Sequence, residues 1–224
     1  MKIALLLPGF LDSPDYLHLR TFDSRLRKLG YQTEKLDPAN LWNGGNISDY
    51  SVTNYLSLVK DRVNHHLHEK PGDIILIGHS LGAMVAIIAG NRIPEVTRIV
   101  ALCPPPDLRL LAAKWQGQKY KTSVRDLPDS PQKSRSFAVP DDFIKDGLQY
   151  SAVEEAGRIN KPFMIFIAQK DNAVSPQQSE LIVKNAPQSY VVRQPNIGHD
   201  FRRDLRQCEL VWNQIEDFIS RSAA

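Results

Sequence analysis

The feature that most constrains the fold of this chain is a short turn between a strand-like and a helix-like segment. Residues 73–77 (Asp-Ile-Ile-Leu-Ile) form an apolar run of strand length that is rich in β-branched side chains. Residues 83–89 (Ala-Met-Val-Ala-Ile-Ile-Ala) are small and apolar and contain no helix breaker. Only Gly78-His79-Ser80-Leu81-Gly82 separates the two runs. Because glycine removes the side chain where backbones crowd, its two occurrences predict a tight turn from strand to helix.

Apolar runs and amphipathic stretches alternate along the rest of the chain, which is typical of an α/β protein. Further strands are predicted at residues 2–7, 31–36, 97–103, 162–168 and 190–192, and further helices near residues 14–29, 48–70, 176–185 and 202–220. We therefore predict one domain over residues 1–224, built on a mostly parallel, doubly wound sheet. Ligands bind at the carboxyl ends of the strands in such sheets.

Ser80 lies at the apex of the predicted turn, where its hydroxyl would project from the sheet edge. The next helix would begin directly behind it, so that the N–H of Leu81 points to where a negative oxygen could form. A second N–H donor is expected from the loop after the first strand. There, Gly9 lets the backbone of Phe10 approach closely. The pattern therefore indicates a nucleophile at Ser80, with Leu81 and Phe10 as an oxyanion hole.

A serine hydroxyl needs a base, and the base needs an acid that orients it. The turn at Ser80 resembles that of the α/β-hydrolases, and this resemblance implies that the acid and then the base follow the serine along the chain. Of the six histidines, only His199 lies late enough, in a loop between a predicted strand and a predicted helix. Asp171 follows the 162–168 strand and is the candidate acid. Asp200 is the local alternative, but a residue adjacent to His199 would point away from its ring.

The remaining histidines have structural interpretations. His18 is predicted on a surface helix, and His79 is too close to Ser80 in sequence to fold back on it. Three more fall in the polar end of a helix at residues 64–70. No carboxylate or cysteine framework joins these three, so we expect no metal site.

These motifs resemble those of the α/β-hydrolase family, in particular its serine esterases and lipases. The resemblance rests on the turn Pro8-Gly9-Phe10, the strand-to-helix turn at residues 78–82, Asp171 and His199. These features span nearly the whole chain. The family often begins its first turn with His-Gly, whereas this chain has Pro8. The chain also starts at what is usually the family's third strand. We therefore expect the first antiparallel strands of the family's sheet to be missing.

The resemblance implies that Ser80 attacks a small carboxylic ester and forms an acyl-enzyme intermediate, with no metal or organic cofactor. The same residues would serve hydrolysis of a thioester, a lactone or a carbon–carbon bond. A receptor-like member of the family, which binds a small molecule and turns over slowly, is the alternative from a different functional class.

Residues 104–156 interrupt the alternation, because they contain no clear strand. This is where members of the family often insert a cap over the site, and we expect a small cap here. Its aromatic side chains Trp115 and Phe143 are candidates for the substrate pocket. Between Arg109 and Arg135 it carries seven basic and two acidic residues, or +5. Such a segment is either a solvated lid or one that attracts anionic substrates.

Composition excludes several other classes. The net charge of +3 is too small to indicate a nucleic-acid partner, and no apolar run is long enough to span a membrane. The two cysteines, Cys103 and Cys208, are expected to be buried or half-buried free thiols, which favours a cytoplasmic protein. The expected partner is a small-molecule ester, and the sequence leaves the oligomeric state open.

Overall fold

A computed structural model describes residues 1–222 and contains eight strands in that range. Six of them form the central sheet and two form a separate hairpin. The strands are β1 (Lys2–Leu7), β2 (Tyr31–Lys35), β3 (Asp73–His79), β4 (Arg98–Leu102), β5 (Tyr120–Leu127), β6 (Ser130–Pro140), β7 (Phe163–Ala168) and β8 (Tyr190–Gln194).

The central sheet has the strand order β2-β1-β3-β4-β7-β8, and every pairing in it is parallel. The predicted doubly wound parallel sheet is thereby confirmed. Among residues 1–222, this sheet contains no antiparallel strand. The register pairs Leu7 with Gly78 and His79 with Leu102. The carboxyl ends of β1, β3 and β4 therefore meet at one edge, which carries the predicted turn.

The helices cover both faces of this sheet. They are α1 (Leu17–Lys28), α2 (Val52–Leu67), α3 (Leu81–Arg92), α4 (Arg109–Trp115), α5 (Asp142–Gly147), α6 (Ala152–Ala156), α7 (Pro176–Asn185) and α8 (Leu205–Arg221). Short 3-10 turns lie at Pro38–Asn43, Ile47–Asp49 and Phe201–Arg203. Helix α2 is shorter than its predicted span, because Ser51 caps it by accepting a hydrogen bond from the Asn54 N–H.

Side chains of each central strand alternate between two apolar clusters. In β1, Ile3 and Leu5 point to the cluster that contains α2 and α3, whereas Ala4 and Leu6 point to the cluster that contains α1 and α8. The α3 helix is buried from Leu81 to Gly90, which explains why its sequence lacks a polar face. The helix that follows the turn at residues 78–82 is therefore packed by other side chains around its whole circumference.

The prediction that residues 104–156 lack strands is wrong. Strands β5 and β6 form an antiparallel hairpin there, flanked by α4, α5 and α6. The alternation was obscured because only one side of the hairpin packs on the protein: Phe137 and Val139 are buried, whereas Tyr120 and Val124 are exposed. Polar residues occupy most of the remaining positions, so the pattern lacks the apolar signal of a core strand.

No helix within residues 1–222 combines the length and the apolar character that crossing a membrane requires.

Candidate active site

The turn between β3 and α3 places Ser80 in a strained conformation. Its φ is 54° and its ψ is −121°, which a residue with a side chain rarely adopts. A Cβ at Gly78 would lie 2.1 Å from the carbonyl oxygen of Gly82. A Cβ at Gly82 would lie 2.2 Å from that of Leu7. Both glycines are therefore required sterically, as the sequence predicted, and the Ser80 N–H is fixed by donating to the carbonyl of Leu102 at 2.8 Å.

The structure brings Ser80, His199 and Asp171 together into one chain of contacts. The Oγ of Ser80 lies 3.0 Å from Nε2 of His199, and Nδ1 of the same ring lies 2.6 Å from Oδ2 of Asp171. His199 is in the loop after β8 and Asp171 is in the loop after β7. All three side chains thus leave the carboxyl ends of parallel strands.

The carboxylate of Asp171 is held in its ionised form. Burial raises its pKa, but hydrogen bonds from His199 and from the backbone N–H groups of Val174 and Ala173 outweigh burial, so the pKa lies below its usual value. The two backbone bonds, 2.8 and 2.9 Å long, both reach Oδ1 and leave Oδ2 for His199. This arrangement fixes which oxygen faces the imidazole.

The loop of residues 8–12, which we call the oxyanion loop, packs directly on Ser80. A Cβ at Gly9 would lie 3.3 Å from Cβ of Ser80. The Tyr55 hydroxyl donates to the Pro8 carbonyl at 3.0 Å and so fixes the beginning of the loop. Phe10 and Leu81 both line the cavity above Ser80 and His199. The two predicted N–H donors therefore belong to segments that border the serine.

A cavity of about 340 Å³ opens over Ser80 and His199. Phe143 lines it, together with Leu108 and Leu111 of the segment predicted as a cap. Trp115 is not among its lining residues: it is buried behind Phe10 and Phe143, with ring centroids 5.9 and 6.2 Å away. Phe143 thus borders the cavity directly, whereas Trp115 lies behind the aromatic rings that border it.

A buried polar cluster around Asp12, the last residue of the oxyanion loop, was missed by sequence analysis. Asp12 is 7% exposed and lies 3.4 Å from Arg125 and 4.0 Å from Arg202. Burial raises the pKa of Asp12, but the ring of His79 and the guanidinium groups of Arg202 and Arg125 outweigh burial and hold that pKa well below its usual value. The partners come from segments far apart in sequence, so no local pattern signals them.

His18 corrects a second expectation, because it lies in the core rather than on a surface helix. It is fully buried, and its ring packs at 5.2 Å from His79 and 5.7 Å from Phe201. The ring of His79 in turn lies 4.8 Å from His199. Burial lowers the pKa of both His18 and His79, so these two rings are neutral near pH 7.

One group of side chains in residues 1–222 approaches the donor set of a metal site. Ligand atoms of His79, Cys103 and His199 lie within 4.8 Å of one another. The residues fit a metal poorly, since both ring nitrogens of His199 are already within bonding distance of other side chains. Burial also raises the pKa of the Cys103 thiol well above its usual value, which keeps it protonated. Both cysteines are free and buried, as the sequence predicted.

Comparison with known proteins agrees with this geometry. Residues 4–211 match the sequence profile of the alpha/beta hydrolase family. The chain belongs to that family. The matched region includes the Ser80 turn and both loops that carry His199 and Asp171.

Solved structures of other proteins share the fold of this chain. Est1E from Butyrivibrio proteoclasticus, solved with bound ferulic acid, has a TM-score of 0.78 and 19% identity over 100% of this chain and 90% of its own. Alpha/beta hydrolase domain-containing protein 10 from mouse has a TM-score of 0.74 and 18% identity over 98% of this chain and 90% of its own. At these identities the similarity concerns the fold alone.

A curated relative matches part of the sequence. Pancreatic lipase-related protein 2 from Myocastor coypus is 31% identical over an alignment of 113 residues that covers 46% of this chain. The match spans 23% of the length of that protein, so its activity as a whole protein does not carry over with it. What the comparisons show is therefore membership of the alpha/beta hydrolase family and a partial similarity to a lipase-related protein.

Proposed function

We propose that this alpha/beta hydrolase is a serine carboxylesterase that cleaves small esters through an acyl-enzyme intermediate. The observation that carries the proposal is the continuous chain from Ser80 Oγ through His199 to Asp171, with separations of 3.0 and 2.6 Å. This spacing matches the hydrogen bonds that a nucleophile, its base and the orienting acid require.

In the proposed mechanism, the Ser80 hydroxyl donates its proton to Nε2 of His199 while Oγ attacks the ester carbonyl. The Nδ1–H of His199 donates to Asp171, whose charge stabilises the imidazolium that forms. The N–H groups of Leu81 and Phe10 donate to the oxyanion of the tetrahedral intermediate. His199 then protonates the departing alkoxide, which leaves the acyl group on Ser80.

Deacylation repeats these steps with water as the nucleophile. His199 takes a proton from the water, whose oxygen attacks the acyl carbon, and then returns it to Oγ of Ser80. The products are a carboxylic acid and an alcohol, and none of these steps calls for a metal or organic cofactor. The cavity of about 340 Å³ and its lining of Phe143, Leu108 and Leu111 support a small apolar acyl group.

Residues 104–156, which include the hairpin, serve as the cap in this proposal. They supply Leu108, Leu111 and Phe143 to the wall of the cavity. A cytoplasmic location is also part of the proposal, since Cys103 and Cys208 are free thiols rather than a disulfide.

Steady-state kinetics with p-nitrophenyl acetate test the proposed activity. We expect many product equivalents per protein molecule, with a faster rate for oxygen esters than for matched thioesters and lactones. A faster rate on thioesters or lactones would move the assignment to those substrates. Release of one equivalent without further turnover would support the receptor-like alternative and contradict the esterase proposal.

A further inference from the structure

The oxyanion loop adopts a conformation that it does not favour on its own. Leu11 has a φ of 56° although it carries a branched side chain. Backbone in this region persists only where surrounding contacts determine it. The contacts that hold the Phe10–Leu11 peptide are therefore part of what shapes the loop.

This peptide is held at both of its polar atoms. The Leu11 N–H donates to the hydroxyl oxygen of Tyr50 at 2.8 Å. The Phe10 carbonyl accepts two hydrogen bonds from Arg125, one from Nε at 3.0 Å and one from Nη2 at 2.7 Å. Fixing this peptide plane restricts the rotation of Phe10, whose own N–H is the proposed oxyanion donor.

Arg125 reaches the loop from β5 of the hairpin, 115 positions away in sequence. Its guanidinium lies 5.5 Å from the centre of the Phe10 ring and 3.4 Å from the carboxylate of Asp12. The loop thus provides a carbonyl, an aromatic face and a negative charge for one guanidinium group. A planar group with several fixed donors suits this combination, whereas lysine would supply only a point charge.

The next hairpin residue ties the same region to the loop that bears His199. The Asp126 carboxylate accepts from Arg202 at 3.0 Å and from Arg203 at 3.2 Å. Arg202 is 5% exposed and stacks 4.1 Å from the centre of the Tyr16 ring. The hairpin is therefore docked on the body of the protein by charged contacts at two adjacent positions, Arg125 and Asp126.

We propose that Arg125 is a positioning residue, through which the docked hairpin holds the oxyanion loop in the geometry that stabilises the transition state. The inference rests on the proposed esterase function and adds to it. The cap thus contributes to the rate of the chemical step as well as to the shape of the pocket. When the hairpin leaves the loop, Phe10 loses two of the bonds that orient it.

Arg125 also borders the cavity, so a direct contact with an anionic substrate is the competing explanation. The positioning role and the substrate contact predict changes in different kinetic constants. Loss of a substrate contact raises KM, whereas misplacing a donor that acts in the transition state lowers kcat. A neutral ester such as p-nitrophenyl acetate separates them, because it offers no charge for Arg125 to bind.

The experiment compares Arg125→Ala and Arg125→Lys with Arg20→Ala in the full chain. Arg20, on α1, is a matched control, because its guanidinium also pairs with the hairpin, at a distance of 2.7 Å from Asp129. Its ion pair is with the hairpin and not with the oxyanion loop. For Arg125→Ala we expect kcat on p-nitrophenyl acetate to fall roughly 10- to 100-fold with little change in KM. Arg125→Lys should recover only part of this loss, and Arg20→Ala should stay within about twofold of the native chain.

Hydrogen–deuterium exchange gives a readout that does not depend on turnover. Peptides covering residues 8–12 should exchange faster in Arg125→Ala but not in Arg20→Ala. Unchanged exchange in Arg125→Ala, an equal kcat loss in the two alanine variants, or an effect on KM alone would overturn the positioning role. An inactive native chain would contradict the esterase proposal and this inference together. An active chain with an unaffected Arg125→Ala variant would contradict only this inference.

Discussion

The carboxylate of Asp171 lies 2.6 Å from Nδ1 of His199, although the two residues are 28 positions apart in the chain. Asp200, which is adjacent to His199 in sequence, instead pairs with Arg202 at 3.3 Å and leaves 61% of its side chain exposed. The parallel sheet explains the difference, because it brings the ends of β7 and β8 side by side. The geometry therefore supports Asp171 rather than Asp200 as the acid of the proposed mechanism.

Exchange of each carboxylate for an amide tests that selection. Asp171→Asn should lower kcat by several orders of magnitude, up to roughly 10⁴-fold, because an amide neither stabilises the imidazolium nor favours the required tautomer. Asp200→Asn, the matched control, should retain kcat within about threefold, since it alters a carboxylate that is 61% exposed and pairs with Arg202 rather than with His199. Steady-state hydrolysis of p-nitrophenyl acetate measures both variants, and a larger loss in Asp200→Asn would reverse the assignment.

Replacements of two aromatic residues test how the cap shapes the cavity. Phe143→Leu enlarges the space over Ser80, so kcat/KM should rise for longer acyl chains relative to the acetyl ester. Trp115→Phe alters a ring that packs behind Phe10 and Phe143, and it should leave the ranking of chain lengths unchanged. A series of p-nitrophenyl esters from acetate to octanoate supplies the ranking. An equal change in the ranking of chain lengths in both variants would contradict the prediction that Phe143, and not Trp115, limits the acyl chain length.

The core histidines predict how stability depends on pH. Burial is the main reason that the pKa of His18 lies well below its usual value of 6.5, and burial also lowers the pKa of His79. Near pH 6.5 the unfolded chain therefore binds more protons at these positions than the folded chain does. The stabilisation is therefore complete above about pH 6.5 and is lost as the pH falls.

Urea denaturation between about pH 7.5 and about pH 5.5 measures this effect, and each neutral buried histidine should remove at most about 1.4 kcal/mol per pH unit below 6.5. The His18→Leu variant should show a shallower decline than the native chain. The lowered pKa values of Asp12 and Asp171 affect stability only below their usual value of 3.8, outside this range. An identical decline in native and His18→Leu proteins would contradict the assignment of His18 as a neutral core residue.

Much of the sheet could be predicted from the sequence, because its four inner strands β1, β3, β4 and β7 are short, mostly apolar runs between turns. The turn at Ser80 was equally predictable, because only glycine fits at positions 78 and 82. A Cβ atom there would lie 2.1 or 2.2 Å from a backbone carbonyl oxygen. Such signals are local: they depend on residues within one strand, one turn or one helix.

The hairpin and the buried charges could not be predicted in the same way. Strands β5 and β6 bury few apolar side chains, so their alternation is weak. His18 is buried by His79 and Phe201, which come from distant segments, and its own helix gave no sign of them. The contact of Arg125 with Phe10 likewise depends on how the hairpin docks, which is a property of the assembled fold.

The most direct test of the account is the activity of Ser80→Ala. This variant removes only the hydroxyl oxygen, so circular dichroism and thermal unfolding should confirm an intact fold. Hydrolysis of p-nitrophenyl acetate should fall roughly 10³-fold or more, and covalent labelling by a fluorophosphonate should disappear. Near-native hydrolysis by a folded Ser80→Ala protein would contradict the proposed nucleophile and, with it, the mechanism.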